Sequence, residues 1–574
     1  MGYEEEYKRW CQSAYFDAQT KEELKEIAGN QEEVEERFYK NLEFGTGGLR
    51  GLLGAGTNRM NRYTVRKATQ GLANYIHQRK GSAQGVAIAY DSRHYSVEFA
   101  KEAACCLAAN GIQVYLFESL RPTPELSFAV RKLQCIAGIV ITASHNPAVY
   151  NGYKVYGATG AQITAPVDKQ IIEEVNKITS YQDVRTISEE EAMQEGRIQM
   201  LGIEMDEEYD RAILKEVLSP VVAQKQGKEL SIVYTPLHGS GNIPVRRILQ
   251  KMGFENVYVV AEQEKADGAF PTVPAPNPED ASAYKMALEL AHRVQADLIL
   301  ATDPDADRLG VYAWDLESET YQAFTGNMLA AIILEYRLKQ SVRKAILTDK
   351  STMVTTIVSG GMGKAIAKEY GVSVVETLTG FKYIGQQMQI FEEEKTQEFI
   401  FGYEESYGCL IGTSVRDKDA ISAVMAVCEA TAYYKEQGKS LCKQMQHLYE
   451  QYGYYMESLG TVTLDGKQGN VKVANIMQKI REKIPRKVGT LKVLEARDYA
   501  ISRVTYFPEE QTQKLTLPKS NVLYFRLEDD AWCCIRPSGT EPKIKCYVGV
   551  KENTKEEAIE AVAQLLRIVE GWMV

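Results

Sequence analysis

The chain has 574 residues, of which 44% are hydrophobic and 25% are charged, as is usual for soluble globular proteins. This length is too great for one hydrophobic core and predicts about three to five domains. The formal charge of −10 argues against a nucleic-acid-binding protein, because phosphate contacts require a basic face.

The ten cysteines include no C-x-x-C pair, which is typical of reduced thiols in a cytosolic protein. The N-terminus lacks the basic and apolar regions of a signal peptide, and no apolar run approaches the length of a membrane span. We therefore expect a cytoplasmic protein with no membrane or nucleic-acid partner, and the sequence indicates no obligate protein partner.

Residues 1–44 are predicted to form acidic helices that lead into the first domain. The stretch "FGTGGLRG", residues 44–51, approaches a dinucleotide-binding fingerprint, but Arg50 stands where the last glycine belongs and no strand precedes it. Flexible backbone beside Arg50 suits contact with a phosphate better.

One pattern of strand, polar turn, amphipathic helix, glycine and strand then occurs three times. The copies begin at "GVAIAYDSRHYS", at "LSIVYTPLHGSG" and, less regularly, at "KAILTDKSTMVTT", and their helices close at Gly111, Gly253 and Gly371. The pattern predicts parallel pairing in βαβ units. Each copy is followed by a further apolar strand that delivers polar residues to its end.

In the first copy this strand is "IAGIVITASHNP", which places Ser144 at its carboxyl end. An ordinary turn explains Ser144 and the residues after it, since Asn-Pro breaks regular structure. The alternative is a serine held where open α/β sheets bind their ligands.

In the second copy the strand "ADLILATDPDADR" ends in Asp303, Asp305 and Asp307. In extended backbone these alternate residues point the same way, so that three carboxylates converge on one Mg²⁺ or Ca²⁺. An EF-hand is excluded, because Arg308 and Trp314 occupy its glycine and glutamate positions. A solvated acidic turn is the alternative.

In the third copy "GYEES" places Glu404 and Ser406 on one side of an extended turn, a pair suited to vicinal sugar hydroxyls, with an ordinary acidic loop as the alternative. The region after it is strand-rich and closes with a helix, which predicts a smaller α+β domain. Its "RPSGTEPK", residues 536–543, suits an anion cradle or a plain turn. Together the loops indicate phosphoryl transfer involving a phosphorylated polyol, with water, a second substrate or Ser144 as acceptor.

These five stretches, in this order, resemble the α-D-phosphohexomutase family of phosphoglucomutases and phosphomannomutases. The resemblance covers nearly the whole chain and implies three similar βαβ-type α/β domains with mixed, mainly parallel sheets plus a C-terminal α+β domain, arranged around one central cleft. The implied domains are an N-terminal arm with the phosphoserine domain, a metal-binding domain, a sugar-binding domain and a phosphate-binding domain. Their expected boundaries are 1–205, 206–318, 319–448 and 449–574.

The resemblance also implies the roles of individual residues. Ser144 would be the phosphorylated residue, and its phosphate would complete a Mg²⁺ shell with the three aspartates. Lys154 in "YNGYK" matches the family's acid/base lysine, and Arg50 and Arg308 would lie close to the transferring phosphoryl group. The other implied substrate-binding residues are Thr379, Gly380 and Lys382 in "TLTGFK", Glu404 and Ser406 in the sugar loop, and Arg536, Ser538, Gly539 and Thr540 in the phosphate loop.

The implied activity is a phosphosugar mutase, with glucose 1-phosphate and glucose 6-phosphate as the expected pair and glucose 1,6-bisphosphate as intermediate and activator. "GYEES" and "TGFK" resemble the phosphoglucomutase and phosphopentomutase branch more than phosphomannomutases. A phosphopentomutase and a glucose 1,6-bisphosphate synthase are the alternatives within the family. A metal-dependent phosphatase or a non-catalytic phosphosugar sensor would belong to a different class, and a sensor would be expected to have lost Ser144 or an aspartate of the metal loop.

Overall fold

The computed structural model describes residues 2–45, 47–464, 469–538 and 543–573. The chain divides into two compact units. The first contains the residues up to Gly326 together with Phe381–Ser440, and the second contains Asn327–Gly380 and the residues from Leu441 onward. None of the helices in the described part of the chain combines the length and the apolar character needed to cross a membrane.

The first unit opens with the expected acidic helices. Asp17 and Asn30 cap the second and third of them by accepting backbone N–H groups. An aromatic cluster joins this arm to the sheet domain that follows: Trp10 stacks on Phe16 at 4.1 Å and meets Tyr63 edge-on at 5.4 Å. The helices are α1 (Tyr3–Gln12), α2 (Ala18–Glu26) and α3 (Gln31–Phe38).

A mixed sheet follows, with the order β1-β5-β4-β2-β3-β6. The strands β4, β2, β3 and β6 run parallel, and β5 and β1 are added antiparallel at one edge. The elements are β1 (Gly48–Leu52), α4 (Arg62–Gln78), β2 (Val86–Tyr90), α5 (Ser96–Ala109), β3 (Val114–Phe117), α6 (Thr123–Lys132), β4 (Ala137–Ile141), β5 (Tyr150–Gly157), α7 (Val167–Asn176), a 3-10 turn (Tyr181–Asp183), α8 (Glu189–Gln194) and β6 (Ile198–Leu201).

A second mixed sheet in the same unit has the order β11-β10-β9-β7-β8, in which β7 pairs in parallel with both β8 and β9. Its elements are α9 (Ile203–Leu214), α10 (Pro220–Gly227), β7 (Ser231–Thr235), α11 (Asn242–Met252), β8 (Asn256–Val259), α12 (Ala261–Glu264), a 3-10 turn (Ala281–Tyr284), α13 (Lys285–Val294), β9 (Leu298–Thr302), β10 (Leu309–Asp315) and β11 (Thr320–Phe324).

The third repeat contributes to both units. Its β12 and β13 form a parallel pair in the second unit, whereas β14 and β15 form an antiparallel hairpin in the first. The first strand starts at Ser351, later in the quoted stretch than its apolar "KAIL" suggested. The elements are α14 (Gly326–Arg343), β12 (Ser351–Thr356), α15 (Gly361–Glu369), β13 (Ser373–Thr377), α16 (Phe381–Glu394), β14 (Glu398–Glu404), β15 (Gly408–Ile411), α17 (Ala420–Glu436) and α18 (Leu441–Tyr452).

The C-terminal region is the predicted α+β domain. Its sheet is antiparallel, with the order β16-β23-β22-β21-β18-β19-β20 and β17 paired to β18. The elements are β16 (Tyr454–Thr463), α19 (Gly469–Glu482), β17 (Lys487–Val488), β18 (Leu491–Asp498), β19 (Arg503–Tyr506), β20 (Gln511–Lys514), β21 (Leu523–Leu527), β22 (Trp532–Pro537), β23 (Lys543–Glu552) and α20 (Lys555–Glu570).

The threefold repeat is therefore confirmed as β2-α5-β3, β7-α11-β8 and β12-α15-β13, each with its two strands parallel. Gly111, Gly253 and Gly371 follow the three helices with φ of 69°, 90° and 69°, the left-handed conformation that glycine adopts without strain. The carboxyl ends of the strands that follow the repeats position the residues of the candidate site.

Candidate active site

Ser144 follows β4 in a conformation that points its hydroxyl at the acidic loop after β9. Its φ is 52°, a left-handed backbone that costs a non-glycine residue about 1 kcal/mol. The Thr142 hydroxyl stabilises this backbone by accepting the Ser144 N–H at 2.8 Å. The Ser144 Oγ donates to Asp303 Oδ2 at 2.6 Å and lies 3.2 Å from His145 Nδ1. The serine is thus fixed against a carboxylate of the second sheet domain.

A buried arginine holds the whole loop that carries Ser144. Arg93 lies directly after β2, where Asp91 accepts its backbone N–H at 2.9 Å, and its guanidinium lies over the Phe270 ring at 4.9 Å. The guanidinium donates to four backbone carbonyls of the loop, those of Ser144 at 2.6 Å, Asn146, Pro147 at 2.9 Å and Tyr150 at 3.0 Å.

The three aspartates do converge, but through a turn and not through the extended backbone that the sequence pattern suggested. The Ala306 N–H bonds to the Asp303 carbonyl at 2.9 Å, and Ala306 has a φ of 49°. The chain therefore folds back on itself between β9 and β10, and one oxygen of each carboxylate lies within 4.8 Å of the others. All three side chains are buried.

The protein occupies both oxygens of Asp303, since Oδ2 accepts from Ser144, but only one oxygen each of Asp305 and Asp307. Asp303 Oδ1 accepts the backbone N–H groups of Asp307 at 3.1 Å and Arg308 at 3.0 Å. Asp305 Oδ2 accepts from the Lys154 ammonium at 2.7 Å. Asp307 Oδ2 lies 3.6 Å from the same ammonium.

The other oxygens of Asp305 and Asp307, both Oδ1, are buried without a hydrogen-bond partner. Buried polar atoms are normally satisfied, and a pair of orphaned carboxylate oxygens beside a third carboxylate fits a hard divalent cation. The residues present therefore fit the Mg²⁺ or Ca²⁺ that the sequence pattern indicated and the Mg²⁺ that the family resemblance implies.

The electrostatics of the aspartates follow from burial and from two lysines. Burial raises the pKa of Asp303 well above the ordinary carboxyl value, and the charges of Asp305 and Asp307 reinforce the rise. Burial also opposes charge on Asp305, but the Lys154 ammonium holds the pKa of Asp305 below its usual range. Lys418 adds a second ammonium at 3.1 Å from Asp307 Oδ2.

The predicted basic residues of the first domain reach this centre from the antiparallel edge strands. Lys154 lies on β5, in register with Val140 of β4. Arg50 lies on β1, which pairs with β5, so "FGTGGLRG" is in part an edge strand. The Arg50 side chain is exposed and donates to Asn146 Oδ1 at 3.2 Å, next to the serine loop.

Arg308 and the predicted sugar loop complete the part of the site that lies in the first unit. Arg308 forms an ion pair with Glu279. Glu404 is buried at the end of β14, and burial raises its pKa although Lys418, Arg308 and a hydrogen bond from Ser406 act in the opposite direction. Glu404 therefore lies within the electrostatic reach of the metal loop.

The other predicted residues are divided between the two units. Lys382, the second residue of α16, lies in the first unit over its neighbour Tyr383 at 5.2 Å. Thr379 and Gly380 follow β13 in the second unit, where Arg536 lies on β22 opposite Lys545 and the Ser538 N–H bonds to Lys543 at 2.7 Å. Gly539 and Thr540, also predicted, lie outside the described residues.

Four residues of the site were missed by the sequence reasoning: Arg93, Thr123, Glu279 and Lys418. Arg93 follows β2 within the charged turn "DSRH", so the rule that strand ends carry function could have found it. Lys418 lies in "RDKDA" directly before α17, where that rule does not apply. Thr123 carries no such signal, because its contact is with a residue 182 positions away. Glu279 follows Pro278 in what the sequence presents as an ordinary turn.

Comparisons with known proteins agree with this arrangement over most of the chain. The family models of phosphoglucomutase/phosphomannomutase alpha/beta/alpha domains I, II and III match residues 41–182, 207–315 and 325–452. The model of the C-terminal domain of that family matches residues 470–566.

Two relatives and one solved structure illustrate the similarity. A phosphoglucomutase from Staphylococcus epidermidis is 39% identical over 533 residues, which cover 92% of this chain and 94% of the relative. One from Staphylococcus aureus is 37% identical over 549 residues, covering 95% and 96%. The crystal structure of parafusin, a phosphoglucomutase from Paramecium in its open form, has 18% identity and a TM-score of 0.69, covers 93% of this chain and 95% of its own, and shows the same fold.

Proposed function

Since this chain belongs to the phosphoglucomutase/phosphomannomutase family and is a phosphosugar mutase, an isomerase, we propose that it interconverts glucose 1-phosphate and glucose 6-phosphate. Ser144 is the residue that carries the phosphoryl group between turnovers, and glucose 1,6-bisphosphate is the intermediate. The choice of glucose rests on the relatives, which are phosphoglucomutases.

The observation that carries the proposal is the placement of the Ser144 hydroxyl. Its Oγ lies 2.6 Å from Asp303 Oδ2, beside two further carboxylates, on a loop whose carbonyls are fixed by a buried arginine. A serine that must both give up and take back a phosphoryl group has to keep one position through the cycle. The left-handed backbone and the Arg93 contacts supply that constraint.

Asp303, Asp305 and Asp307 are the residues proposed to hold Mg²⁺, with the phosphate on Ser144 as a further ligand. When bound, the ion would withdraw charge from the phosphoryl oxygens and so stabilise the transition state of transfer.

The side chains of this chain perform the remaining steps. Phospho-Ser144 donates its phosphoryl group to the free hydroxyl of a hexose monophosphate, and after the bisphosphate reverses its orientation Ser144 accepts the other phosphoryl group. Lys154 is the proposed acid/base group that exchanges a proton with the sugar hydroxyl. Arg50 and Arg308 bind the phosphoryl oxygens, an interaction that requires Arg308 to exchange its ion pair with Glu279 for the substrate.

The remaining predicted residues bind the rest of the substrate. The Glu404 carboxylate accepts hydrogen bonds from the sugar hydroxyls, and the Ser406 hydroxyl donates to them. The other proposed substrate contacts are those of Thr379, Gly380, Lys382, Arg536, Ser538, Gly539 and Thr540. The domain boundaries proposed for these roles are 1–205, 206–318, 319–448 and 449–574, which the positions of the four family matches support.

The proposal is tested by a coupled assay with Mg²⁺ and a trace of glucose 1,6-bisphosphate. Glucose 1-phosphate, mannose 1-phosphate and ribose 1-phosphate are compared by kcat/KM. We expect glucose 1-phosphate to be preferred by at least about tenfold, the discrimination of about 1.4 kcal/mol that one well-placed hydrogen bond supplies. A preference for ribose 1-phosphate would instead assign the chain to the phosphopentomutases.

A further inference from the structure

Thr123 touches the metal loop from the neighbouring domain, at a point that neither the sequence pattern nor the proposed catalytic cycle uses. It is the first residue of α6 and is fully buried. Its N–H donates to the backbone carbonyl of Asp305 at 2.9 Å, and its hydroxyl donates to Asp305 Oδ2 at 2.8 Å. Two residues 182 positions apart are therefore joined by two hydrogen bonds.

The second acceptor position on Asp305 Oδ2 is filled by Lys154, at 2.7 Å. With Thr123 and Lys154 on Oδ2, the only oxygen of this carboxylate that remains buried and unpartnered within the described structure is Oδ1. The two oxygens of a carboxylate are equivalent, so these bonds fix the plane of the group, which cannot turn about the Cβ–Cγ bond without weakening both of them. Its orientation toward the other two aspartates is therefore decided by residues of the phosphoserine domain.

The position of Thr123 is itself fixed. Pro122 and Pro124 flank it, and Arg121 at the start of the helix pairs with Asp206 at 2.7 Å and 3.0 Å. One turn further, the Ser127 hydroxyl donates to the Gly160 carbonyl at 2.6 Å. The N-terminus of α6 is thus a rigid platform and not a loop that could follow a moving carboxylate.

We propose that Thr123 is a positioning residue that fixes the plane of the Asp305 carboxylate, so that one oxygen is held by Thr123 and Lys154 and only the other faces the divalent cation. The inference rests on the proposed Mg²⁺ site and goes beyond it, because it assigns the geometry of one ligand to a residue that binds neither the cation nor the substrate. Loss of the Thr123 hydroxyl lowers the affinity for the cation, because the Asp305 carboxylate is still present but is no longer held in one plane.

The clean substitution is Thr123→Val, which keeps the volume and the β-branching and removes the hydroxyl. The backbone bond from Thr123 to Asp305 remains, as do the bonds from the Ser240 N–H and hydroxyl to the Pro304 carbonyl, each at 2.8 Å. The loop therefore stays anchored on both sides, and the variant reports on the side-chain hydrogen bond. Thr123→Ser restores the hydroxyl, and Thr123→Ala is a second variant without it.

The matched control is Thr431→Val. Thr431 is also buried, and its hydroxyl donates to the Val427 carbonyl of its own helix α17, at 2.7 Å, far along the chain from the metal loop. Binding of Mn²⁺ to the full-length apo proteins is measured by electron paramagnetic resonance, because Mn²⁺ accepts the same oxygen ligands as Mg²⁺ and free and bound ions give different signals. Thermal melting of each variant shows that it is folded.

We expect the Kd for Mn²⁺ to rise about tenfold in Thr123→Val and Thr123→Ala, the effect of losing one hydrogen bond to a charged acceptor. Thr123→Ser and Thr431→Val should bind as the unsubstituted protein does. An unchanged Kd in folded Thr123→Val and Thr123→Ala, or an equal loss of affinity in Thr431→Val, would overturn this inference and leave the proposed metal site standing. Absence of Mn²⁺ binding by the unsubstituted protein would instead refute the proposed metal site.

Discussion

At the level of single residues, the cations around the three aspartates determine whether these buried carboxylates can lie so close together. Three buried carboxylates within a few ångströms repel each other strongly, and the nearby cations Lys154, Lys418 and Arg308 offset this repulsion. The Oδ1 atoms of Asp305 and Asp307 nevertheless have no hydrogen-bond donor in the described structure. A divalent cation between these atoms would supply the missing partner, which is why we propose that the site holds Mg²⁺.

The Asp305→Asn substitution tests this assignment directly. The amide removes one negative charge from the cation site, and we expect the Mg²⁺ concentration for half-maximal activity to rise by about tenfold or more. Activity is measured against Mg²⁺ concentration at saturating substrate, with the exposed Asp280→Asn in the same domain as control. If the Mg²⁺ titrations of the two variants coincide, Asp305 is not a ligand.

Loops and turns at the strand ends convert these side chains into a site. Ser144 and Ala306 both have positive φ, so the serine loop and the metal loop each depend on a backbone conformation that their residues do not favour. The surrounding contacts stabilise it, above all the four carbonyls that the Arg93 guanidinium binds. A planar fork with five N–H groups can satisfy these acceptors together, whereas an ammonium group cannot.

The Arg93→Lys substitution is therefore not conservative. We expect kcat to fall by about tenfold or more with little change in KM, because the serine loop loses its fixed geometry while the substrate contacts remain. The free energy of unfolding should fall by about 1–3 kcal/mol. The matched control is Arg59→Lys, another buried arginine, whose contacts are with helix α3 and its own turn.

Rescue of Arg93→Ala by guanidinium in solution separates positioning from a general loss of stability. Guanidinium should restore part of kcat and methylammonium should not, since only the former has the planar donor pattern. If kcat for Arg93→Lys equals that for Arg59→Lys within error, Arg93 does not position the serine loop for catalysis.

The sequence predicted the elements better than their connections. Glycine positions, strand-end polar residues and apolar periodicity identified the three repeats, the α+β domain and the Ser144, Asp303–Asp307 and Glu404 loops, because these signals are local. The edge strand at Arg50 and the contact between Thr123 and Asp305 could not be predicted in this way, because they depend on which distant segments pack together. The turn in the metal loop joins residues only three apart, and there the alternation of the aspartates wrongly predicted extended backbone.

In the whole molecule, each compact unit contains buried charged groups that link its elements, and one such group in the second unit makes the stability of that unit depend on pH. Glu457 on β16 accepts from the Asn327 amide at 2.9 Å and from the backbone N–H of Gly361 at the start of α15. A Cβ at Gly360 would lie 2.3 Å from the Glu457 carboxylate, so a larger residue there would displace that side chain. Burial raises the pKa of Glu457 to about 6, although the Asn327 bond acts in the opposite direction.

A raised carboxyl pKa means that the folded protein binds this proton more tightly than the unfolded chain. The stability it contributes is therefore present below the unfolded pKa and is lost as the pH rises through about 6. For Glu457→Gln, which has no charge to bury, we expect stability relative to the unsubstituted protein to increase by about 1–2 kcal/mol between pH 4.5 and 7. Calorimetric melting at several pH values measures it, and a pH-independent difference would contradict the burial of this charge.

The proposed catalytic cycle depends on Ser144 as the carrier of the phosphoryl group. The most direct measurement is peptide mass mapping of the full-length protein after incubation with Mg²⁺ and glucose 1,6-bisphosphate, with Ser144→Ala treated in parallel. We predict a phosphate on the peptide containing Ser144, lost on addition of glucose 1-phosphate and absent from the variant. A folded, unsubstituted protein that gains no phosphate at Ser144, or keeps it unchanged in the presence of glucose 1-phosphate, would contradict the account.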